Sequence, residues 1–177
     1  MSTRREHISA ANLRLVRKLN ELYDLIVPRV ASYRCSTAQN LNITAGMTVA
    51  WNNTNVRRQD TGISINGANT LVTVAGRPNY IDINVNIKIG IADTDNKQRP
   101  NQVVRLVRSD GKVLASSATG YIRDTGDHEE SSYNFTVTDA FPIENANYRV
   151  TAIRESNNIG SVPLDIDETQ LDFKVFN

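Results

Sequence analysis

Apolar residues near the N-terminus recur at spacings that alternate between three and four positions. The series consists of Ile8, Leu15, Leu19, Leu22 and Ile26, with Asn12 at the position that interrupts it. This spacing places side chains on one face of an α-helix. Ser9 precedes a run without glycine or proline, and Pro28 disfavours helical backbone at the residue before it. The pattern predicts a helix over residues 8–27, with Ser9 as its N-cap.

Two interpretations of this helix stay open. In the first, it is an ordinary amphipathic helix whose apolar face packs on its own domain. In the second, the series is the seam of a short coiled coil, in which Asn12 sets register and oligomer number. The seam is short for an isolated coiled coil and would need support from the following domain. A second apolar line, which suits burial on more than one side, contains Leu13, Val16, Tyr23 and Val27. Residues 1–28 are therefore a predicted oligomerisation or docking segment.

After Pro28 the apolar period changes from about 3.6 to 2. Residues 80–91 alternate strictly, with isoleucine or valine on one face and mostly polar residues on the other. This predicts a long antiparallel strand with its apolar face inward. Shorter strands are predicted at 30–37, 47–52, 70–75, 102–108, 112–117, 131–138, 147–155 and 170–176. Asp110-Gly111 is a strong hairpin signal between two of them. Residues 29–177 thus read as a mostly β, antiparallel domain, either a sandwich or a jelly roll.

Charge and cysteine content narrow the class of partner. The 177 residues carry a formal net charge of +1, which indicates neither nucleic acid nor anionic lipid as a partner. Cys35 is the single cysteine, so an intrachain disulfide is impossible and a reducing compartment is favoured. The apolar runs are too short for a secretory signal or a membrane span. We therefore expect a chain that is neither exported nor bound to a membrane.

Candidate catalytic and metal-binding groups are few. A histidine-based triad would depend on His128, which lies in the acidic stretch 124–130. Its acids are too close in sequence to converge readily on a metal ion. The stretch 93–96 begins like a calcium loop, but the required glycine and bidentate glutamate do not follow. Cys35, in a predicted strand, is typical of a buried small apolar residue. We predict no enzyme, and no catalytic, cofactor-binding or metal-binding residues.

Loops on a rigid β scaffold are common binding sites. The predicted loops 52–62 and 120–130 contain or adjoin aromatic and basic side chains that could contact a receptor or a glycan. These possible ligand contacts are Trp51, Arg57, Arg58 and Tyr121.

Several segments, taken in chain order, resemble the compact jelly roll of the tumour-necrosis-factor and complement-globular-head superfamily. They are Trp51-Asn-Asn, Asp60-Thr-Gly-Ile-Ser-Ile65, Asn69-Thr-Leu-Val-Thr-Val-Ala-Gly76 and the strand 80–91. The resemblance covers residues 30–177 and implies a trimer built around the long central strand. The chain departs from the family in placing Tyr80 four residues after Gly76, with Arg77-Pro-Asn between.

Phage and other viral particles carry similar jelly rolls, as trimeric decoration proteins, spikes and fibre heads. A helix that leads into a cysteine-poor β domain is similar to those proteins. The resemblance implies a homotrimeric virion structural protein that decorates or cements a capsid and is made in the host cytoplasm. Its expected partners are copies of itself and the major capsid protein or another virion component. The alternative is a receptor- or glycan-binding head of a viral spike or fibre.

Overall fold

The computed structural model describes residues 3–35, 37–41, 45–51, 58–89, 102–119, 131–154, 164 and 168–177. Helix α1 spans Thr3–Ile26. It begins before the predicted residue 8, so the prediction of Ser9 as the N-cap is wrong. The residues before Ser9 include Arg4, Arg5 and Glu6, all good helix formers, and neither glycine nor proline interrupts them. At the other end, Val27 N donates to Tyr23 O at 2.8 Å, and Pro28 follows.

Eleven strands follow the helix in the described residues. They are β1 (Arg29–Arg34), β2 (Met47–Thr48), β3 (Arg58–Gln59), β4 (Ile63–Ile65), β5 (Val72–Val74), β6 (Tyr80–Ile89), β7 (Gln102–Arg108), β8 (Val113–Thr119), β9 (Ser131–Ala140), β10 (Asn147–Arg154) and β11 (Gln170–Phe176). The sequence pattern does not predict β3 or β4. They are two and three residues long, which is too short for an alternation to stand out.

The strands form two antiparallel sheets. The first sheet has the order β3-β1-β11-β6-β9, and the second has the order β4-β5-β10-β7-β8 with β2 paired to β10. Strands that are neighbours in a sheet are mostly distant in sequence, as in β1 with β11 and β6 with β9. Chain crossings of this kind between two packed sheets make a jelly-roll sandwich.

The long strand β6 is the centre of the core. Ile81, Ile83, Val85 and Ile87 have no exposed surface, while the polar residues between them are half-buried on the other face. Strand β11 follows the same alternation, and its Phe173 lies opposite Ile83. The inward side chains of both sheets make one continuous apolar cluster. Since period-2 alternation sets the register of each strand, a shift by one residue would expose this whole set.

The predicted hairpin joins β7 to β8. Gly111 has φ of 85°, a left-handed conformation that costs glycine nothing. Arg108 N donates to Lys112 O at 2.9 Å, and Gly111 N donates to Arg108 O at 2.9 Å. The Asp-Gly signal therefore identifies the turn correctly, and a bulge between Leu106 and Val107 follows in the ladder.

Candidate interaction surfaces

The apolar seam of α1 is exposed in the single chain. Leu15, Leu19 and Leu22 are 59%, 55% and 54% exposed, and every described helix side chain from residue 10 to residue 23 is exposed. Asn12 lies in this exposed stretch, while the side chain of Ile26 lies outside the described part of the structure. The β-sandwich of residues 29–177, which we call the head, does not cover the apolar face of the helix at these residues. Of the two interpretations of the helix, the exposure favours contact with another molecule.

The second apolar line of the helix is exposed as well. Leu13 is 70% exposed, Tyr23 is 63% exposed, and Val16 and Val27 also reach solvent. Residues at these positions lie beside the first seam on the helix surface. The helix therefore presents a broad apolar band rather than a single narrow stripe. No helix in the described part of the chain has the length and apolarity that a membrane crossing requires.

Hydrogen bonds fix the position at which the chain passes from the helix into the first sheet. Strand β1 begins at Arg29, which lies opposite Val175 of the last strand. Arg29 Nη2 donates to Asn177 Oδ1 at 2.9 Å, and Val30 N donates to Asp60 Oδ2 at 2.9 Å. The first bond holds the start of β1 to the C-terminal end of the chain, and the second holds it to the residue that follows β3. The C-terminal end of the helix, which we call its base, is thus anchored to one end of the first sheet.

Three aromatic side chains, which we call the aromatic patch, lie at this same end of the first sheet: Tyr80, Phe141 and Phe176. The rings of Tyr80 and Phe176 stack with centroids 4.3 Å apart and 15° between their planes. Asn79 N donates to Phe176 O at 2.8 Å, and Phe141 N donates to Asn79 O at 3.1 Å. Phe141 is 85% exposed. The sequence alone gives no signal for this patch, because strand pairing is what brings these three residues to one end of the sheet.

The outer face of the first sheet is polar and hydrogen-bonded across its strands. Thr138 Oγ1 donates to Asp82 Oδ1 at 2.6 Å, and Thr136 Oγ1 donates to Asn84 Oδ1 at 3.1 Å. A groove of about 470 Å³ opens on this face. It is lined by Val30, Ala31, Ser32, Asp82, Asn84, Thr136, Asp172, Phe173 and Lys174. This face offers hydrogen-bonding groups to a partner, beside apolar lining from Val30, Ala31 and Phe173.

Of the predicted ligand contacts, the structure describes Trp51 and the backbone of Arg58. Trp51 is 1% exposed and belongs to the core, so its indole cannot stack on a sugar, and that prediction is wrong. The backbone of Arg58 pairs with Ser32 in β3, and nothing further is described of its side chain. Arg57 and Tyr121 lie outside the described residues, as does the acidic stretch around His128.

Within the described residues, no three His, Cys, Asp or Glu side chains are close enough to hold a metal ion. Cys35 is 2% exposed, as predicted for a small apolar residue. Gln39 Nε2 donates to its Sγ at 2.9 Å, and the Sγ lies 3.3 Å from Thr37 O. The thiol is thus part of a packed turn.

A buried ionic network links the two sheets. Arg108 of β7 donates through Nη1 to both carboxylate oxygens of Asp139 in β9, at 2.8 and 3.0 Å. Tyr148 OH donates to Asp139 Oδ2 at 2.8 Å, and Arg108 Nη2 donates to Asp110 Oδ2 at 2.7 Å. Asp139 is 1% exposed and Arg108 7%. Both buried charges of the network, Arg108 and Asp139, are therefore paired and hydrogen-bonded, which offsets the cost of burying them.

The network shifts the ionisation of its members. The hydrogen bond from Arg108, with help from the backbone N–H of Lys112, lowers the pKa of Asp110 to about 2. Burial, and then the hydrogen bond to Asp139, raises the pKa of Tyr148 well above its usual value. Charged Arg108 and neutral Tyr148 are both favoured, which is the arrangement of a structural clamp rather than of a proton-transfer site.

Sequence comparison finds no protein-family model and no curated protein that matches the chain. Comparison with solved structures finds the fold. The crystal structure of mouse APRIL at pH 8.0, a jelly roll of the tumour-necrosis-factor family, matches with a TM-score of 0.54 and 11% identity. The match covers 84% of this chain and 99% of that one. The predicted fold, a mostly β jelly roll with one N-terminal helix, is confirmed.

Proposed function

We propose that this chain is a non-enzymatic structural protein that forms homotrimers, with its helices joined along their apolar seams. The observation that carries the proposal is the exposure of Leu15, Leu19 and Leu22, each more than half exposed in the single chain. A contiguous apolar surface of this kind is removed from water most directly by association. The heads then contribute the support that so short a seam requires.

The width of the apolar band favours three helices over two. With Leu15 and Leu22 at the d positions of a heptad, Val16 and Tyr23 fall at the e positions beside them. Charged residues usually hold the e positions of two-stranded coils. A wider apolar band suits a helix that has two neighbours. The tumour-necrosis-factor-like fold also fits a trimeric head.

Asn12 would set the register of this bundle. It occupies the a position one turn before Leu15, inside an otherwise apolar series. A buried asparagine is most easily satisfied by the same residue of neighbouring helices at the same height. Parallel, in-register helices therefore place every head at the same end of the bundle.

The setting we propose is a virus particle, whose capsid the trimer decorates or cements. The major capsid protein or another virion component would be its partner. The support for this setting is the layout of helix and cysteine-poor jelly roll, which is similar to that of phage decoration and fibre-head proteins. The alternative, a receptor- or glycan-binding head, loses its main aromatic contact because Trp51 is buried.

Light scattering on the full chain tests the trimer. We expect a mass about three times 19.7 kDa at micromolar concentration. Leu19→Asn should shift the protein towards the monomer, because it places an amide in the seam. Arg17→Asn, on the opposite face of the same turn, is the matched control and should leave the mass unchanged. A wild-type monomer at these concentrations contradicts the proposal.

Co-sedimentation tests the capsid setting separately. The probe is a capsid-like particle assembled from the major capsid protein encoded in the same genome. We expect the trimer to pellet with these particles and to appear as added density on their outer surface by electron microscopy. A trimer that stays in the supernatant at saturating concentration would remove the capsid role and leave the oligomer in place.

A further inference from the structure

Phe141 combines two unfavourable properties. Its φ is 57°, in the left-handed region that bulky residues rarely occupy, and its side chain is 85% exposed. The other described non-glycine residues with positive φ are Asn69 and Asn145, and asparagine tolerates this conformation. Folding of the single chain gains little from a phenylalanine here. A contact with another molecule explains its presence.

The described part of the helix seam is smaller than a stable interface. Its three leucines, each a little over half exposed, offer at most about 300 Å², since even a large aromatic side chain buries about 150–250 Å². A specific interface buries about 800 Å² on each partner. Additional contact must therefore come from elsewhere in the chain. Phe141 alone can supply on the order of 150 Å² more, since an aromatic side chain buries about 150–250 Å².

The aromatic patch lies where a neighbouring helix would pass. The pairing of Arg29 with Val175 places the end of α1 beside Phe176, in the same row of the sheet as Tyr80. Packed helices lie about 8–10 Å apart. Strand β6 lies two strands from β1, which is about 10 Å at the usual strand spacing. A second copy's helix that joins the first seam on this side therefore comes within side-chain reach of this end of the head. The chain's own Tyr23 stays 63% exposed, so its own helix base does not provide that cover.

We propose that the aromatic patch binds the base of the helix of a second copy, through the exposed Tyr23 and Val27 of its second apolar line. This inference rests on the proposed homotrimer and names the surface of the head that completes it. The first seam joins helix to helix, and the patch joins head to helix. Each copy then contributes both halves of the contact, as a closed ring of identical subunits requires.

Phe141→Asn in the full chain separates association from folding. Asparagine accepts a left-handed backbone, so the head should melt at the same temperature or higher. The dissociation constant of the oligomer, measured by sedimentation equilibrium, should rise at least tenfold. Val113→Asn is the matched control: Val113 is 48% exposed on β8 of the other sheet and should leave the dissociation constant unchanged.

Disulfide trapping identifies the occupant. A size-tagged Tyr23→Cys chain is mixed with an untagged Phe141→Cys chain, exchanged through dissociation and oxidised. A disulfide between chains of different size is expected. The matched mixture of Tyr23→Cys with Val113→Cys should give none, and the native Cys35 is buried and stays out of the reaction.

The outcomes separate this inference from the proposed trimer. A wild-type monomer would overturn both. A wild-type oligomer whose dissociation constant Phe141→Asn leaves unchanged would overturn the patch contact and keep the trimer. If Phe141→Asn instead abolishes binding to capsid-like particles and the oligomer is unaffected, the patch serves a different partner and the inference is wrong.

Discussion

Ile83 on the central strand of the head has no exposed surface, whereas Leu19 at the middle of the helix is 55% exposed. Both are large apolar residues that recur with the period of their element. In the head, the partner of each such residue is another part of the same chain, so stability is independent of concentration. On the helix the partner that we propose is another copy, so the stability of that contact should follow mass action. A mutation in one region should therefore change a different measurement from a mutation in the other.

The largest effect is expected from Asp139→Ala in the ionic network. Removing this carboxylate leaves Arg108 with only its exposed partner and Tyr148 OH without its acceptor, at a cost of about 3–5 kcal/mol in the free energy of unfolding. Urea unfolding followed by the fluorescence of Trp51 measures it, because this single, buried tryptophan reports on the head alone. Asp110→Ala, at the exposed end of the network, is the control and should cost clearly less. Equal losses in the two variants would contradict the clamp.

A matched pair of leucine-sized truncations compares the two regions directly. Ile83→Ala should reduce the free energy of unfolding of the head by about 2–5 kcal/mol, because it opens a cavity in the core. Leu19→Ala should leave the Trp51 transition of the dissociated chain unchanged and raise the dissociation constant of the oligomer. If Leu19→Ala instead destabilises the head at low concentration, the helix packs on its own domain.

The smallest effect is an acid-sensitive contribution from Asp110. Its folded-state pKa is about 2, below the ordinary 3.8, so the unfolded chain takes up the proton first. The resulting stabilisation is fully present above about pH 4 and is lost as the pH falls towards 2. Asp110→Asn should therefore flatten the dependence of unfolding on pH within this window. Denaturant midpoints at half-unit intervals of pH measure it, and an unchanged slope would show that the ion pair adds nothing to the head.

Strict alternation made the core strands predictable. The pattern in residues 80–91 corresponds to β6, Tyr80–Ile89, and the predicted strand 170–176 matches β11 at both ends. The same parity contained a signal for the ionic network. Asp139 is in step with the buried Tyr133 of β9, and a charged residue at an inward position indicates a buried partner. In β7 the bulge between Leu106 and Val107 breaks the alternation before Arg108, so parity does not identify that partner.

The interaction surfaces were harder to predict. Trp51 was expected to be a ligand contact, yet it is two residues from the buried Val49, and this spacing indicates the core. The aromatic patch depends on pairing between strands far apart in sequence. Whether Phe141 is exposed depends on a left-handed backbone that its residue type disfavours. No local pattern contains that information.

The turn that encloses Cys35 has a practical consequence. The thiol is 2% exposed and accepts a hydrogen bond from Gln39 Nε2 within this turn. The amide of Gln39 also donates to Ala50 O and accepts from Ala50 N. A thiol reagent can reach the thiol only when this part of the head opens. Because the chain has a single cysteine, the rate at which a thiol reagent labels the native protein reports how often the structure around Cys35 opens. Native-state labelling therefore measures local opening of the head without an introduced probe.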